Sequence, residues 1–304
     1  MSGPDDALRD AVVWLDGQVV GLGEARIPVT DHGLLYGDGI FEGIRVYGGR
    51  VFRLDRHMAR FAAAARQIGL VLPGGPEAAR EIVLTTLRAF GRSEAYARLI
   101  ATRGEGALGV DPTPCTRPRL LCIAGRVSIY PEEKLRRGID LVTVSVRRPA
   151  ADALDPRVKS LNYLNNVLAK LEARRRGADE ALLLNAAGMV AEASVANVFA
   201  HREGQLLTPP PTDGALEGVT RATVLDLASE LGLPAQERTL GRFDLFSADE
   251  VFLTGTGAGL VPVRSLDGES IGAGAPGPVF EKLRRGFAEA TRELGVPLDP
   301  GAAD

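Results

Sequence analysis

A chain of 304 residues with 45% hydrophobic content is long enough to bury two sizeable cores. Its net charge is −3, and its Lys and Arg residues form no long block, so neither nucleic acid nor an anionic membrane is an expected partner. Cys115 and Cys122 are its only cysteines and lack a metal-type spacing, which points to a reducing compartment and no metal site. The amino terminus, Met1-Ser2-Gly3-Pro4-Asp5-Asp6, is acidic and does not read as a secretory signal. No apolar stretch approaches the roughly 20 residues needed to cross a bilayer, and a cytoplasmic location is expected.

In chain order, Val12 to Leu15 and Gln18 to Val20 flank Asp16-Gly17, a two-residue hairpin turn. Phe41 to Tyr47 and Arg50 to Leu54 flank Gly48-Gly49 in the same way. A helix follows from about Arg56 to Ile68, with Asp55 expected to cap it and Gly69 to end it. A second helix, Glu77 to Phe90, leads to a strand Ala95 to Thr102, a Gly-rich loop Gly104 to Asp111 and a strand Arg119 to Ala124. This pattern predicts an α+β first domain over 1–124, a polar linker with Pro131 over 125–137, and a second domain over 138–304. That domain opens with the strand Ile139 to Val146 and a loop, Arg148 to Arg157. Leu161, Leu164, Val167, Leu168 and Leu171 then mark one face of a helix. Two hairpin-like pairs, Glu180 to Asn185 with Met189 to Ala191 and Asn197 to Ala200 with Gln205 to Thr208, precede a helix Thr220 to Leu231. A strand Glu250 to Thr254 enters Gly255-Thr256-Gly257-Ala258-Gly259, and a last helix spans Val279 to Leu294.

Two residues suggest chemistry together. Lys159 lies just ahead of a helix among Leu161, Tyr163 and Leu164, an apolar wall that favours a neutral, nucleophilic amine. Glu192 interrupts the apolar run Met189-Val190-Ala191-Glu192-Ala193. An amine to carry an aldehyde cofactor as a Schiff base, and a carboxylate to keep a pyridine nitrogen protonated, suit pyridoxal phosphate. Strand alternation leaves the exposure of Glu192 open. Three segments offer anion sites: the helix start Leu216-Glu217-Gly218-Val219-Thr220-Arg221, the Gly255 to Gly259 loop, and Arg60 on the first helix. Gly37-Asp38-Gly39 and Gly255-Thr256-Gly257 are too short for a dinucleotide fingerprint. No Walker lysine loop, Gly-x-Ser-x-Gly elbow or His-Glu-x-x-His helix occurs, and His32, His57 and His201 read as structural or exposed.

Taken together, the segments Asp31 to Arg45, the Lys159 run, Leu216 to Arg221 and Asp249 to Thr256 resemble the fold-type IV pyridoxal phosphate enzymes. That family includes branched-chain aminotransferases, D-amino acid aminotransferases and aminodeoxychorismate lyases. The resemblance implies an α+β fold of two domains, a small α/β one and a larger one with a pseudobarrel core, working at least as a homodimer. It implies Lys159 as the Schiff-base lysine and Glu192 as the ring-nitrogen partner. Arg60, Gly218, Val219, Thr220 and Thr256 would bind the phosphate, with Tyr163 flanking the cofactor.

Phe41-Glu42-Gly43-Ile44-Arg45 and Tyr96-Ala97-Arg98 look like branched-chain aminotransferases. There Tyr36 and Phe41 would form an apolar side-chain pocket, Arg98 would accept the distal carboxylate of glutamate, and Arg45, Tyr96 and Gly257 complete the implied substrate set. Leu108 and Val110 stand where D-amino acid aminotransferases carry arginine and histidine, and would reach over the pocket of a neighbouring subunit. The implied reaction moves an amino group between branched-chain L-amino acids and 2-oxoglutarate by a ping-pong route. Val195 departs from the small, glycine-rich pattern after Glu192, and Ala196-Asn197 also occurs in some aminodeoxychorismate lyases. That lyase is the alternative, followed by D-amino acid or amine transamination and, remotely, a non-catalytic cofactor-binding protein.

Overall fold

The computed structural model describes residues 8–274 and 276–298. The amino-terminal reading on Met1 to Asp6 lies outside the described residues. The chain forms two compact units. The first holds the described residues up to Ser128, Val158–Asn162, and those from Thr291 on. The second holds Ile129–Arg157 and Tyr163–Ala290. The segment 125–137, expected to be a linker, includes a helix, Glu132–Arg137.

The first unit contains β1 (Val12–Leu15), β2 (Gln18–Gly21), α1 (His32–Tyr36), β3 (Gly39–Tyr47), β4 (Arg50–Phe52), α2 (Leu54–Gln67), α3 (Gly75–Phe90), β5 (Ala95–Thr102), β6 (Arg119–Gly125) and β16 (Gly295–Pro297). Its sheet runs β16-β4-β3-β5-β6-β1-β2, all antiparallel. The two expected hairpins form. Asp16 and Gly17 both have positive φ, which matches the right-handed strand twist. Strand parity decides the core: Ile40, Ile44 and Val46 of β3, Ala97, Leu99 and Ala101 of β5, and Leu120, Cys122 and Ala124 of β6 are buried with Phe61 and Leu87 of the two helices.

Asp55 does not cap α2. The helix begins one residue earlier, and Arg53, in the left-handed region at φ 48°, occupies the cap without a side-chain bond. The turn out of β4 leaves no extended residue for a cap, and Asp55 falls in the first turn, where it still faces the positive end of the dipole. Helix α1 was not expected, although its signals were present. Asp31 accepts from Gly33 N at 2.8 Å as N-cap, and Gly37 ends the helix at φ 69°.

The second unit contains α4 (Glu132–Arg137), β7 (Ile139–Arg147), α5 (Ala151–Leu154), α6 (Leu164–Arg175), β8 (Glu180–Leu184), β9 (Val190–Ala193), β10 (Asn197–Arg202), β11 (Gln205–Thr208), α7 (Val219–Glu230), β12 (Ala235–Glu237), α8 (Arg242–Phe246), β13 (Glu250–Gly255), β14 (Gly259–Leu266) and β15 (Glu269–Ser270). From its end the helix α9 (Pro278–Glu293) leads back to the first unit. The sheet is mixed, ordered β12-β11-β10-β13-β14-β7-β8-β9, with β15 on β14. One buried cluster draws on β9, β8 and β7 as well as β10, β11, β13 and β14, so the sheet curls around its own core. The architecture is the expected two-domain α+β fold.

One amphipathic pattern faces outward. On α6 the buried residues are Asn166, Ala169 and Ala173, and the two alanines pack with Val142, Val144, Ala181 and Leu183. Leu164, Val167, Leu168 and Leu171 are exposed, at 67%, 57%, 46% and 42%. Small residues let the helix lie close on β7 and β8, which turns its larger side chains away from the sheet.

Candidate active site

In the first unit the candidate residues are placed by a backbone pairing. Val158–Asn162 returns against the start of β3: Phe41 N donates to Lys159 O and Leu161 N to Gly39 O, each at 2.9 Å, and Ser160 bridges Ile40. This fixes Lys159 beside Phe41, with its Nζ 4.4 Å from the ring centroid. The guanidinium of Arg98 lies 4.8 Å from the same ring, so one aromatic side chain contacts two cationic groups. Register explains the grouping. Phe41, Gly43 and Arg45 of β3 pair with Ile100, Arg98 and Tyr96 of β5 and share the sheet face turned away from the helices. At Gly43 a Cβ would collide with the Tyr96 hydroxyl, so glycine lets the Tyr96 side chain lie across β3 in this position. Arg45 lies over Tyr47 and 3.8 Å from Glu94. Tyr36 donates to Leu108 O at 2.6 Å, tying α1 to the loop, whose Leu108 and Val110 are 80% and 79% exposed.

The opposite face of β3 holds a charge. Glu42 is fully buried and accepts from Arg60 Nε at 2.7 Å, Arg60 Nη2 at 2.8 Å and His57 Nδ1 at 2.8 Å. Burial alone would raise its pKa, yet Arg60 and His57 outweigh that and hold it at about 2. Burial in turn pushes His57 below the usual imidazole range against the pull of Glu42. The neutral ring with its proton on Nδ1 satisfies the carboxylate, and its buried Nε2 has no hydrogen-bond partner among the described residues. Arg60 thus arrives with two of its nitrogens already fixed. Sequence reasoning singled out Arg60 but not Glu42, although an acid at a core-facing position of an apolar strand was the available signal.

In the second unit Glu192 lies on β9, where all four residues are buried, so the exposure left open by alternation is resolved inward. One oxygen pairs with Arg148 Nη2 at 2.8 Å; the other accepts from Leu216 N at 3.0 Å and Asn197 Nδ2 at 3.2 Å. Asn197 also donates to Leu216 O at 2.9 Å, so the acid is bonded to the loop that opens α7. At the start of that helix Gly218 is an N-cap with no side-chain bond, followed by buried Val219 and Thr220. A Cβ at Gly218 would collide with Asn197 Oδ1. Thr254, opposite Asn197 at the end of β13, has a buried hydroxyl without a partner among the described residues. Thr256 and Gly257 form, with Ala258, the turn between β13 and β14. Tyr163 stands at the N-cap of α6. Neither Arg148 nor the role of Asn197 was read from the sequence, because Arg148 sits in a loop without periodicity and its partners lie far along the chain.

A backbone cradle at a helix N-terminus, beside a buried and multiply bonded carboxylate, suits a ligand with a phosphate and a cationic ring nitrogen. Among the described residues no group of three or more His, Cys, Asp or Glu is placed to hold a metal ion, and no helix is long and apolar enough to cross a membrane.

Comparison with known proteins gives the following. A family model described as amino-transferase class IV matches residues 39–266. A Methanocaldococcus jannaschii protein provisionally named a branched-chain-amino-acid aminotransferase is 44% identical over 94% of this chain and 98% of its own. The branched-chain-amino-acid aminotransferase of Escherichia coli K12 is 35% identical over 90% of this chain and 91% of its own. The solved T.th. branched-chain amino acid aminotransferase with pyridoxamine 5′-phosphate superposes with a TM-score of 0.90 at 36% identity, covering 95% of this chain and 98% of that one.

Proposed function

The chain belongs to the class IV aminotransferase family, and on that premise we propose that it is a pyridoxal-phosphate-dependent transaminase. It exchanges amino groups between branched-chain L-amino acids and 2-oxoglutarate in two alternating half-reactions. Pyridoxal phosphate, when bound, supplies an aldehyde that condenses with amines and an electron-poor ring that stabilises negative charge at the substrate Cα. Lys159 would hold the cofactor through its Nζ, and the same amine would carry the proton taken from the substrate Cα. Glu192 presents its charge to the ring nitrogen. The Val219 and Thr220 amides, the Thr220 hydroxyl, Gly218, Thr256 and Arg60 bind the phosphate, and Tyr163 flanks the ring.

Phe41 and Tyr36 receive an aliphatic side chain. Arg98 accepts the distal carboxylate of the dicarboxylic partner, so aliphatic and acidic substrates are served by one apolar ring with a cation beside it. The proposal includes a cytoplasmic homodimer in which Leu108 and Val110 cover the neighbouring copy's pocket. Their exposure supports this, and the exposed stripe on α6 offers further apolar surface for a second copy.

The observation that carries the reading is the buried Glu192, hydrogen-bonded to the loop that opens α7 at Gly218. Lys159→Ala is expected to abolish turnover and the visible absorbance of the lysine-linked cofactor; near-normal activity refutes the assignment. Incubating the wild type with L-leucine, D-alanine or aminodeoxychorismate separates the substrate classes. Product formation that depends on 2-oxoglutarate and L-leucine supports the proposal. Pyruvate and 4-aminobenzoate released from aminodeoxychorismate without an amino acceptor would reassign it as a lyase.

A further inference from the structure

Resting on the reading of Glu192 as the ring-nitrogen partner, we propose that Arg148 is a positioning residue that keeps the shared proton on the cofactor nitrogen and off the carboxylate. A carboxylate and a pyridine nitrogen compete for one proton. In a buried site the neutral arrangement, protonated acid against neutral ring, avoids two desolvated charges and is favoured unless something stabilises the ions. Arg148 does so. Its Nη2 lies 2.8 Å from Glu192 Oε1, so its charge acts at contact distance on the acid and would act at greater range on a ring nitrogen held by that acid. The guanidinium therefore stabilises the carboxylate more than it destabilises the pyridinium.

The rest of the guanidinium is fixed so that this contact persists. Nε donates to Gly214 O at 3.1 Å, and Nη1 donates to Asn166 Oδ1 at 3.1 Å. Asn166 in turn donates to Ser194 O at 2.6 Å, and the Ser194 hydroxyl bonds the buried Glu180. Arg148, Asn166, Ser194, Glu180 and Glu192 are each less than a tenth exposed, so water does not screen the pair. The chain of bonds reaches Ser194, the residue before Val195.

The test loads the holoenzyme with pyridoxal phosphate labelled with nitrogen-15 in its ring and reads the ring nitrogen by NMR. Wild type, Arg148→Lys and Arg148→Gln are compared, with cofactor affinity by equilibrium dialysis alongside. Wild type gives the protonated-ring signal. Arg148→Gln removes the charge and moves the signal toward neutral pyridine, with about a ten-fold or greater rise in the neutral-ring fraction, one unit of relative basicity being a factor of ten. Arg148→Lys keeps a charge but loses the fork and falls between the two. Cofactor affinity changes less than the signal, because the α7 cradle is intact.

A wild-type signal in both variants overturns the proposal, even if activity falls. Should Arg148→Gln fail to fold, the Lys variant decides alone, and an unmoved signal there overturns it as well. Glu192→Gln serves as the control. If the wild-type signal is already neutral, or Glu192→Gln leaves it unchanged, it is the underlying reading of Glu192 that fails. If Glu192→Gln shifts the signal and the Arg148 variants do not, only this proposal fails.

Discussion

Glu42 and Glu192 are both buried carboxylates on strands, and each is paired with an arginine, yet they are held in different ways. Glu42 is bound by side chains of a single helix, with Arg60 gripping both oxygens and His57 adding a third donor. Glu192 is bound by three separated segments, an arginine after β7, an amide at the start of β10 and a backbone N–H before α7. The first arrangement is local and serves to orient Arg60. The second ties distant pieces of the curled sheet into one cradle. A buried acid is thus no uniform sign of chemistry; what distinguishes the two is whether the partners come from one helix or from segments far apart in the chain.

That contrast breaks first at Glu42. Glu42→Ala takes the acceptor from the buried His57 ring and from the half-buried Arg60 guanidinium, and is expected to cost about 3 kcal/mol or more of stability. Thermal or denaturant unfolding of the cofactor-free protein measures it, and a loss under about 1 kcal/mol would show that Arg60 reaches solvent and needs no orienting partner. Next in size is the acid limb. With a folded pKa of about 2 against an ordinary 4.5, Glu42 contributes stability that is fully present above pH 4.5 and lost as pH falls from there toward 2. The loss is about 3 kcal/mol. His57, depressed by burial, adds to the loss in the same direction as pH drops below its ordinary 6.5. Comparing unfolding of wild type and Glu42→Gln from pH 7 to 3 should show a flatter curve for the variant; parallel curves would remove Glu42 from the account.

The smallest expected effect lies in the second cradle. Gly218→Ala drives a methyl onto Asn197 Oδ1 and is expected to cost about 1–3 kcal/mol. Pyridoxal phosphate affinity, measured by dialysis, should fall more than stability does, because the displaced amide bonds both Glu192 and Leu216. Unchanged affinity would mean that the α7 amides do not face the phosphate.

Much of this fold was legible because its signals are local. Asp16-Gly17 and Gly48-Gly49 place two hairpins, and the strand Ala95 to Thr102 forms over the expected residues. The proposed chemistry was suggested where a residue departs from its surroundings, as Glu192 does on its apolar strand. What could not be read required contacts across sequence. Arg148 meets its partners only through packing, and β14 pairs in parallel with β7, more than a hundred residues earlier. The leucines of α6 show the limit of periodicity, which finds an apolar face but not what covers it.

The return of Val158–Asn162 to β3, and of β16 to β4, also bears on synthesis. The part of the chain made first keeps the N–H of Phe41 and the outer edge of β4 waiting until residues near 160 and near 296 have left the ribosome. The amino-terminal half therefore emerges with open strand edges, and its assembly is completed last.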